Sequence, residues 1–394
     1  MSTTLILAGV LLLSLSLHPF ATYPLSLRLL ARWHPRSLAR LGATPQTAAL
    51  CVCAYNEESV IRAKVENMLA MRAVVPTLDI LVYVDAATDG TAAILAEYVD
   101  RVRVVVSPTR LGKTHGMNVL VGMTDADIIV FSDANVTSAP DTLPRLLAPF
   151  ADPTVGCACG HLVYTRPNES VTATTGSFYW WLEERIKALE SASGSVMGAD
   201  GSIFAIRRSL HRPPPPDLID DMYVSLAVLC DGGRVVRVPD AVAYEEAVSR
   251  PDEEFRRKIR IACQAFNVHR ALWPRLRSLP LIDQYKYVSH KLLRWVAIYL
   301  FAAGAALVLG GLALAGAWLT AVILLYLGVF ALAAIALAHN GPLATARDIL
   351  GAFVATGFGV ARSLRGDRFQ TWNPPASARR TLSPAFRSVA ETRD

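Results

Sequence analysis

Charge is what this chain has little of. Only 18% of its 394 residues are Asp, Glu, Lys or Arg, while 53% are hydrophobic. A soluble chain usually carries about 25% charged residues. From Trp295 to Ala338 there is no charge at all, a stretch long enough for two membrane-crossing helices of about 20 residues each. Cysteine is also scarce. The six include two Cys-x-Cys pairs, Cys51/Cys53 and Cys157/Cys159. In a strand, residues i and i+2 share a face, so each pair is expected to line a core rather than bind metal. Reduced thiols fit a cytoplasmic domain. No zinc-finger spacing and no basic–aromatic signature is present, which excludes nucleic acid as the expected partner. No positive residue precedes the apolar run that starts at Leu5, and no clear small-residue cleavage point follows it. A signal peptide is therefore not expected.

What charge there is, net +6, gathers near apolar segments and suits an anionic membrane surface. Residues 1–30 read as an N-terminal transmembrane segment. Arg28, Arg32, Arg36 and Arg40 follow, so the next domain is expected in the cytoplasm, at a bacterial inner or plasma membrane, with the N-terminus outside. Asp252–Trp273 and Leu281–Arg294 are basic, amphipathic and expected to lie at the interface. Gly310–Trp318 is the expected turn between the two crossings in 295–338. Leu343–Val360 contains Arg347 and Asp348 and precedes an Arg-rich tail. It is expected to lie in the interface without crossing. The predicted organisation is thus 1–30, a cytoplasmic domain over 44–248, interfacial helices over 249–294, crossings over 295–338, and a membrane-associated helix with basic tail over 339–394.

Between Ala48 and Tyr244 the pattern alternates. Ala48–Ala54, Ile80–Val84, Val102–Val106 and Ile128–Phe131 read as buried strands. Helices are expected over Glu58–Met71, from Asp89 to about Tyr98, and over Thr114–Met123. This β-α-β-α succession predicts an α/β fold with a mainly parallel sheet. Further strands are expected at Val155–Val163, Ser202–Ile206, Val235–Val238 and Val242–Tyr244, with helices at Ser177–Ala192 and Leu218–Leu229.

Chemistry is concentrated where these strands end, the edge at which open α/β sheets bind ligands. Tyr55, Asn56, Glu57 and Glu58 follow the first strand, and Asp85 closes the second. Gly112-Lys113 offers a cation ahead of a helix, suited to a diphosphate. Ser132-Asp133-Ala134-Asn135 closes the fourth strand, placing two oxygen donors for a divalent cation. Any one of these alone reads equally as an Asx turn or cap. Four in order on one edge point to a site. Asp220-Asp221, at a helix start, are two adjacent acids competing for ionisation, which suits a general base.

These stretches resemble the membrane-bound family 2 glycosyltransferases, the polysaccharide synthases and their relatives. The resemblance is carried by AYNEE at 54–58, VDAATDGT at 84–91, GKTHGMN at 112–118, SDAN at 132–135 and IDD at 219–221, and it extends over about 48–260. It implies a GT-A fold, a nucleotide-sugar donor (commonly a uridine diphosphate sugar), Mg²⁺ or Mn²⁺, and inversion at the anomeric carbon. By position, Tyr55, Glu57 and Asp85 match uridine-binding residues and Lys113 a donor-contacting lysine. Asp133 and Asn135 match the metal-binding Asp-x-Asp. Asp221 matches the acid that deprotonates the acceptor, with Asp220 its neighbour. Arg257 and Arg260 fall where relatives contact the diphosphate, and Gly198, Asp200 and Trp180 fall on the acceptor side.

The chain departs from that pattern twice. Asn135 replaces the usual second Asp, which predicts weaker metal affinity. Processive members carry Gln-x-x-Arg-Trp, whereas this chain has Ile261 after Arg260, so an acceptor-stacking platform is missing. The resemblance implies transfer to a lipid-linked or growing saccharide acceptor in exopolysaccharide or envelope glycan synthesis, with membrane lipids and polysaccharide-assembly proteins as partners. Two alternatives stand beside it: single addition to a polyprenyl phosphate or glycolipid, and a non-catalytic membrane scaffold that retains the fold.

Overall fold

A computed structural model describes residues 1–37, 46–165, 171–246, 251–338 and 341–371, without the side chains of 165–180 and 251. The expected domain limits at 44 and 248, and the arginines of the tail beyond 371, lie outside the described residues.

The chain opens with α1 (Ser2–Leu17) and α2 (Thr22–Trp33). The expected N-terminal segment consists of a pair of helices bent by 62°. The break falls at His18–Ala21, just before Pro24 occupies the first turn of α2, where a proline is tolerated. The sheet domain runs β1 (Ala48–Ala54), α3 (Ile61–Val74), β2 (Asp79–Asp85), α4 (Thr91–Ala96), β3 (Arg103–Ser107), α5 (Lys113–Gly122) and β4 (Ile128–Ser132). It continues with β5 (Thr137–Ser138), α6 (Thr142–Leu147), β6 (Val155–Thr165), α7 (Val171–Ala192), β7 (Ile203–Arg207), α8 (Asp220–Cys230) and β8 (Arg234–Glu246). The two short strands expected near 235 and 242 are one strand, β8. Its pairing with β6 shifts register between Cys159 and His161, so the break in pattern is an irregularity within a ladder rather than a strand end.

The eight strands form one sheet in the order β3-β2-β1-β4-β7-β6-β8-β5. β1 to β4 pair only in parallel with one another, so their carboxyl ends share one edge. β7 then pairs antiparallel with β4 and carries the sheet onward. Side chains of β1 alternate between two cores. Ala49 and Cys51 face the core built with α5, α8 and α9, and Leu50, Val52 and Ala54 face the core built with α3, α4 and α6. Cys157 and Cys159 join the first core, as the Cys-x-Cys spacing predicts, and all six cysteines are free thiols.

Beyond the sheet come α9 (Pro251–Leu276), α10 (Leu281–Tyr287), α11 (Leu293–Leu314), α12 (Trp318–Leu337) and α13 (Gly341–Leu364). Leu281–Arg294 does not form a separate interfacial helix. A π-helical turn over Val288–Leu292 joins α10 to α11, making a continuous 34-residue helix. That helix, α12 and α13 are each long and apolar enough to cross a membrane, α13 included. α1 packs antiparallel along α11, with Gly9 against Gly304 and Gly311 against Ile6. The last described residues, 365–371, lie over α9 and reach the sheet domain. Asn267 donates to the Asp367 carbonyl at 3.0 Å, and Gln370 Nε2 donates to the Leu111 carbonyl at 2.9 Å.

Candidate active site

The loops after β1 and β2 are stitched together. Asn56, in the left-handed region at φ 52°, accepts from the Thr88 amide at 2.8 Å through its Oδ1. The Glu58 amide donates to Asp89 Oδ2 at 3.1 Å, and the Gly90 amide donates to Glu58 Oε2 at 3.0 Å. Asp89 Oδ1 accepts from the Thr91 amide at 3.0 Å, one residue ahead of Gly90, which takes the N-cap position of α4. This frame holds Tyr55 at the edge, with the Arg110 guanidinium 3.6 Å from its ring centroid. Glu57 is buried in the same frame.

Asp85 is also buried. Its two oxygens accept from the amides of Leu111 (2.7 Å) and Gly112 (2.9 Å). It therefore braces the loop that delivers Lys113, and each oxygen keeps a lone pair for another donor. Gly112 sits at φ 91°, and a Cβ there would collide with the Gln370 carbonyl. Lys113 opens α5. Its Nζ lies 2.7 Å from Asp133 Oδ1 and 3.0 Å from Asp220 Oδ2. Burial opposes its charge, but Asp133, Asp220 and Asp221 outweigh that and hold its pKa well above the usual lysine range.

Asp220 and Asp221 open α8. Asp221 Oδ1 accepts from the Met222 amide at 2.6 Å. Gly201 approaches from the other side: a Cβ there would stand 2.7 Å from Asp221 Oδ2. Burial first, and then the neighbouring Asp220 carboxylate, push the Asp221 pKa up to about 7, against the opposing pull of Lys113. Arg260 on α9 belongs to the same cluster. Burial and Arg257 lower its pKa to about 10, while Asp220, Asp133 and Asp221 work against that. Arg257 lies one turn away, among Tyr164, Glu245 and Glu254, with its Nη1 3.4 Å from Glu254.

Asn135 donates from its Nδ2 to Glu245 Oε1 at 3.0 Å, which leaves its Oδ1 facing the other way. The residues therefore fit a divalent cation in a limited sense. Asp133 and Asn135 offer two hard oxygens, and Glu245 orients the amide from behind, as outer-sphere carboxylates do. Among the described residues no three His, Cys, Asp or Glu side chains group closely enough to hold a metal alone. A Mg²⁺ ion typically takes one or two protein oxygens and draws the rest from phosphates and water.

Of the residues expected on the acceptor side, Gly198 (φ 114°) leaves room beside Met222 and Lys291. Asp200 accepts from the Ser202 amide at 3.2 Å and pairs with Lys187 at 3.4 Å. Trp180 falls in α7, but its side chain lies outside the described residues.

Sequence reasoning missed three residues here. Lys64 is fully buried under the β4 loop, donating to Ser132 Oγ (2.7 Å) and the Val136 carbonyl (2.8 Å), so it clamps both ends of the Asp133–Asn135 turn. Burial lowers its pKa to about 7. The signal was a lysine standing in the apolar stripe of α3 with Ile61, Val65 and Met68. Glu245 and Arg110 gave no local signal. The pairing of β5 with β8, Thr137 opposite Tyr244, is what carries Glu245 to Asn135.

Known proteins resemble this domain in sequence and fold. Residues 49–212 match the model of glycosyl transferase family 2. An N-acetylglucosaminyltransferase of Sinorhizobium fredii (strain NBRC 101917 / NGR234) is 26% identical over 261 residues, which is 62% of this chain and 62% of that protein. The chain thus spans less than two thirds of the curated relatives it matches first. A hyaluronan synthase of Streptococcus pyogenes is 28% identical over 175 residues, 42% of this chain and 41% of the relative. Among solved structures, a mannosyltransferase of Pyrobaculum calidifontis in complex with GDP-Man and Mn²⁺ superposes with a TM-score of 0.72. It is 24% identical, and the alignment covers 91% of this chain and 99% of that one. Residues 49–212 thus form a glycosyl transferase family 2 domain, built on the GT-A fold.

Proposed function

We propose that this protein is an integral membrane enzyme that transfers a sugar, with inversion, from a nucleotide-diphosphate sugar to an acceptor hydroxyl at the cytoplasmic face. The observation that carries this reading is the Lys113 ammonium held between Asp133 and Asp220, with Asp221 beside them. Lys113 and Arg260 supply positive charge where a diphosphate leaving group accumulates negative charge. Tyr55 and Arg110 offer faces for a base, and Glu57 and Asp85 offer acceptors for a base or ribose. Asp221, raised toward neutrality by burial and Asp220, takes the proton of the acceptor hydroxyl on the side away from the leaving group. Asp133 and Asn135 would hold Mg²⁺ or Mn²⁺, which when bound neutralises charge developing on the diphosphate.

The relatives named as N-acetylglucosaminyltransferases make a uridine diphosphate N-acetylhexosamine the first donor to try. The acceptor in this reading is lipid-linked or a growing glycan, in exopolysaccharide or envelope glycan synthesis. Single addition to a polyprenyl phosphate or glycolipid is the second reading. It is favoured by Ile261 following Arg260 on α9, where a processive enzyme needs an aromatic platform.

The membrane arrangement follows from parity. α11 leaves the catalytic side and α12 returns to it. The C-terminal end of α13 is tied to the catalytic side, because Arg270 donates to the Ser363 carbonyl and Gln370 docks on Leu111. In this reading α13 lies in the interface despite its length, and α1 runs antiparallel to α11 with the N-terminus outside.

The test is a screen of nucleotide sugars with Mg²⁺ and Mn²⁺ on protein purified with native lipids, scored by nucleoside diphosphate release. Release from one donor, lost in Asp221→Asn, supports the reading. No release from any donor favours a non-catalytic scaffold.

A further inference from the structure

A second site lies apart from the catalytic cluster and shares no residue with it. A cavity of about 220 Å³ is lined by Arg36, by Ala188, Ser191 and Ala192 at the end of α7, and by Arg234, Arg237 and Pro239 on β8. We propose that this pocket binds a singly charged phosphate diester, the chemistry of a phospholipid headgroup.

The charge of the lining supports this. Arg237 is fixed by Glu184, its Nε donating to Oε2 at 2.6 Å, and by His161. Arg234 is fixed by the carbonyls of Arg36 (3.1 Å), Ser37 (3.4 Å) and Gly194 (3.4 Å), with Asp152 at 3.6 Å. Lys286, behind Gly194, faces Asp283 at 3.8 Å and shares it with Arg36. Arg36 is tied only through its backbone, whose amide donates to the Ala192 carbonyl at 2.9 Å. Its guanidinium is exposed and makes no close ion pair among the described residues, although its charge reaches Asp283. Three guanidiniums line the cavity, and the carboxylates that pair closely with them among the described residues are Asp152 and Glu184, the latter shared with Lys187, so the lining is cationic. A diester carries one negative charge, and the arginine fork matches its oxygens in pairs. Ser191 adds a directed donor. Its Oγ accepts the Arg237 amide at 3.0 Å, and its own hydroxyl proton has no acceptor among the described residues.

Two of the three arginines are locked before any ligand arrives, so little side-chain entropy is lost on binding. Position points to the source. Arg36 stands three residues beyond Trp33, the end of α2, the helix that completes the bent N-terminal pair. In the membrane reading above, that places the pocket at headgroup level. A soluble diester is the other source of the same chemistry.

The test uses full-length protein stripped of lipid in detergent and then exchanged against mixed vesicles of phosphatidylglycerol and phosphatidylcholine. Retained lipid is read by native mass spectrometry, with glycerophosphoglycerol added separately as the soluble diester. Wild type is expected to retain phosphatidylglycerol about tenfold over phosphatidylcholine. Arg36→Gln removes one positive charge of the lining, and Ala188→Met fills the cavity without touching charge. Each is expected to bring retention to parity at an unchanged melting temperature. Displacement of retained lipid by glycerophosphoglycerol assigns the site to the headgroup alone, and binding of that diester without lipid selectivity assigns it to a soluble ligand. Equal retention of both lipids with no binding of the diester overturns the proposal. So does selectivity that survives both substitutions. Neither result depends on glycosyl transfer.

Discussion

Lys113 Nζ lies 2.7 Å from Asp133 Oδ1, and the same ammonium reaches Asp220 Oδ2 at 3.0 Å. One cation on α5 therefore joins the end of β4 to the start of α8, the two places that carry metal-binding and proton-accepting groups in the proposed mechanism. Removing it leaves three acids, Asp133, Asp220 and Asp221, without their shared counter-charge. Lys113→Met is expected to lower kcat/KM by roughly 10²-fold or more, the size of a lost electrostatic stabiliser. Initial-rate kinetics at several donor concentrations measure it.

The same cluster fixes the pH dependence. Asp221 acts as a base only when ionised, and its pKa is raised to about 7. Activity is therefore expected to rise with pH along an acid limb centred near neutrality. Asp220→Asn removes a neighbouring negative charge, so the limb should move to lower pH. Lys113→Met removes the cation that favours ionised Asp221, so the limb should move to higher pH. Opposite shifts in the kcat/KM profiles of the two variants are the expected outcome; shifts in the same direction would contradict the assignment.

Lys64 allows a stability test. Its pKa in the folded protein is lowered to about 7, while an unfolded lysine titrates near 10.4. Between those values the unfolded chain binds the extra proton, so stability contributed by this group rises with pH, by at most about 1.4 kcal/mol per unit. Wild type is expected to gain on Lys64→Met between about pH 7.5 and about pH 9.5 in chemical denaturation. Loss of the clamp on Ser132 and Val136 should also weaken activation by Mn²⁺ in the variant.

Two glycines test close approach. Gly112→Ala forces a Cβ into the left-handed region and against the Gln370 carbonyl. It is expected to lower stability by about 1–2 kcal/mol and to expose 365–371 to protease. Gly201→Ala places a methyl group against Asp221 Oδ2. It should depress kcat more than donor KM, because the base moves while the donor groups stay in place.

Much of this site was legible in the sequence because its residues sit at strand ends or helix starts, where local pattern is strong. Tyr55, Asp85, Lys113, Asp133 and the Asp220-Asp221 pair all fall there. The sequence order β-α-β-α also determined which edge they share. Glu245 could not be found that way, because its partner Asn135 is 110 residues distant and the β5–β8 ladder alone brings them together. Periodicity also misjudged boundaries set by tertiary packing. The π-helical turn at 288–292 carries α10 into α11 where composition suggested a stop, and β8 continues through a register shift that reads as two strands.

The central claim is that Asp221 is the base of a sugar transfer whose donor is held by separate groups. Donor binding by titration and single-turnover transfer of labelled sugar, measured side by side for wild type and Asp221→Asn, test it most directly. The account predicts unchanged donor affinity with transfer slowed by roughly 10²–10⁴-fold, the contribution of a positioned base. Transfer by Asp221→Asn at the wild-type rate would contradict it.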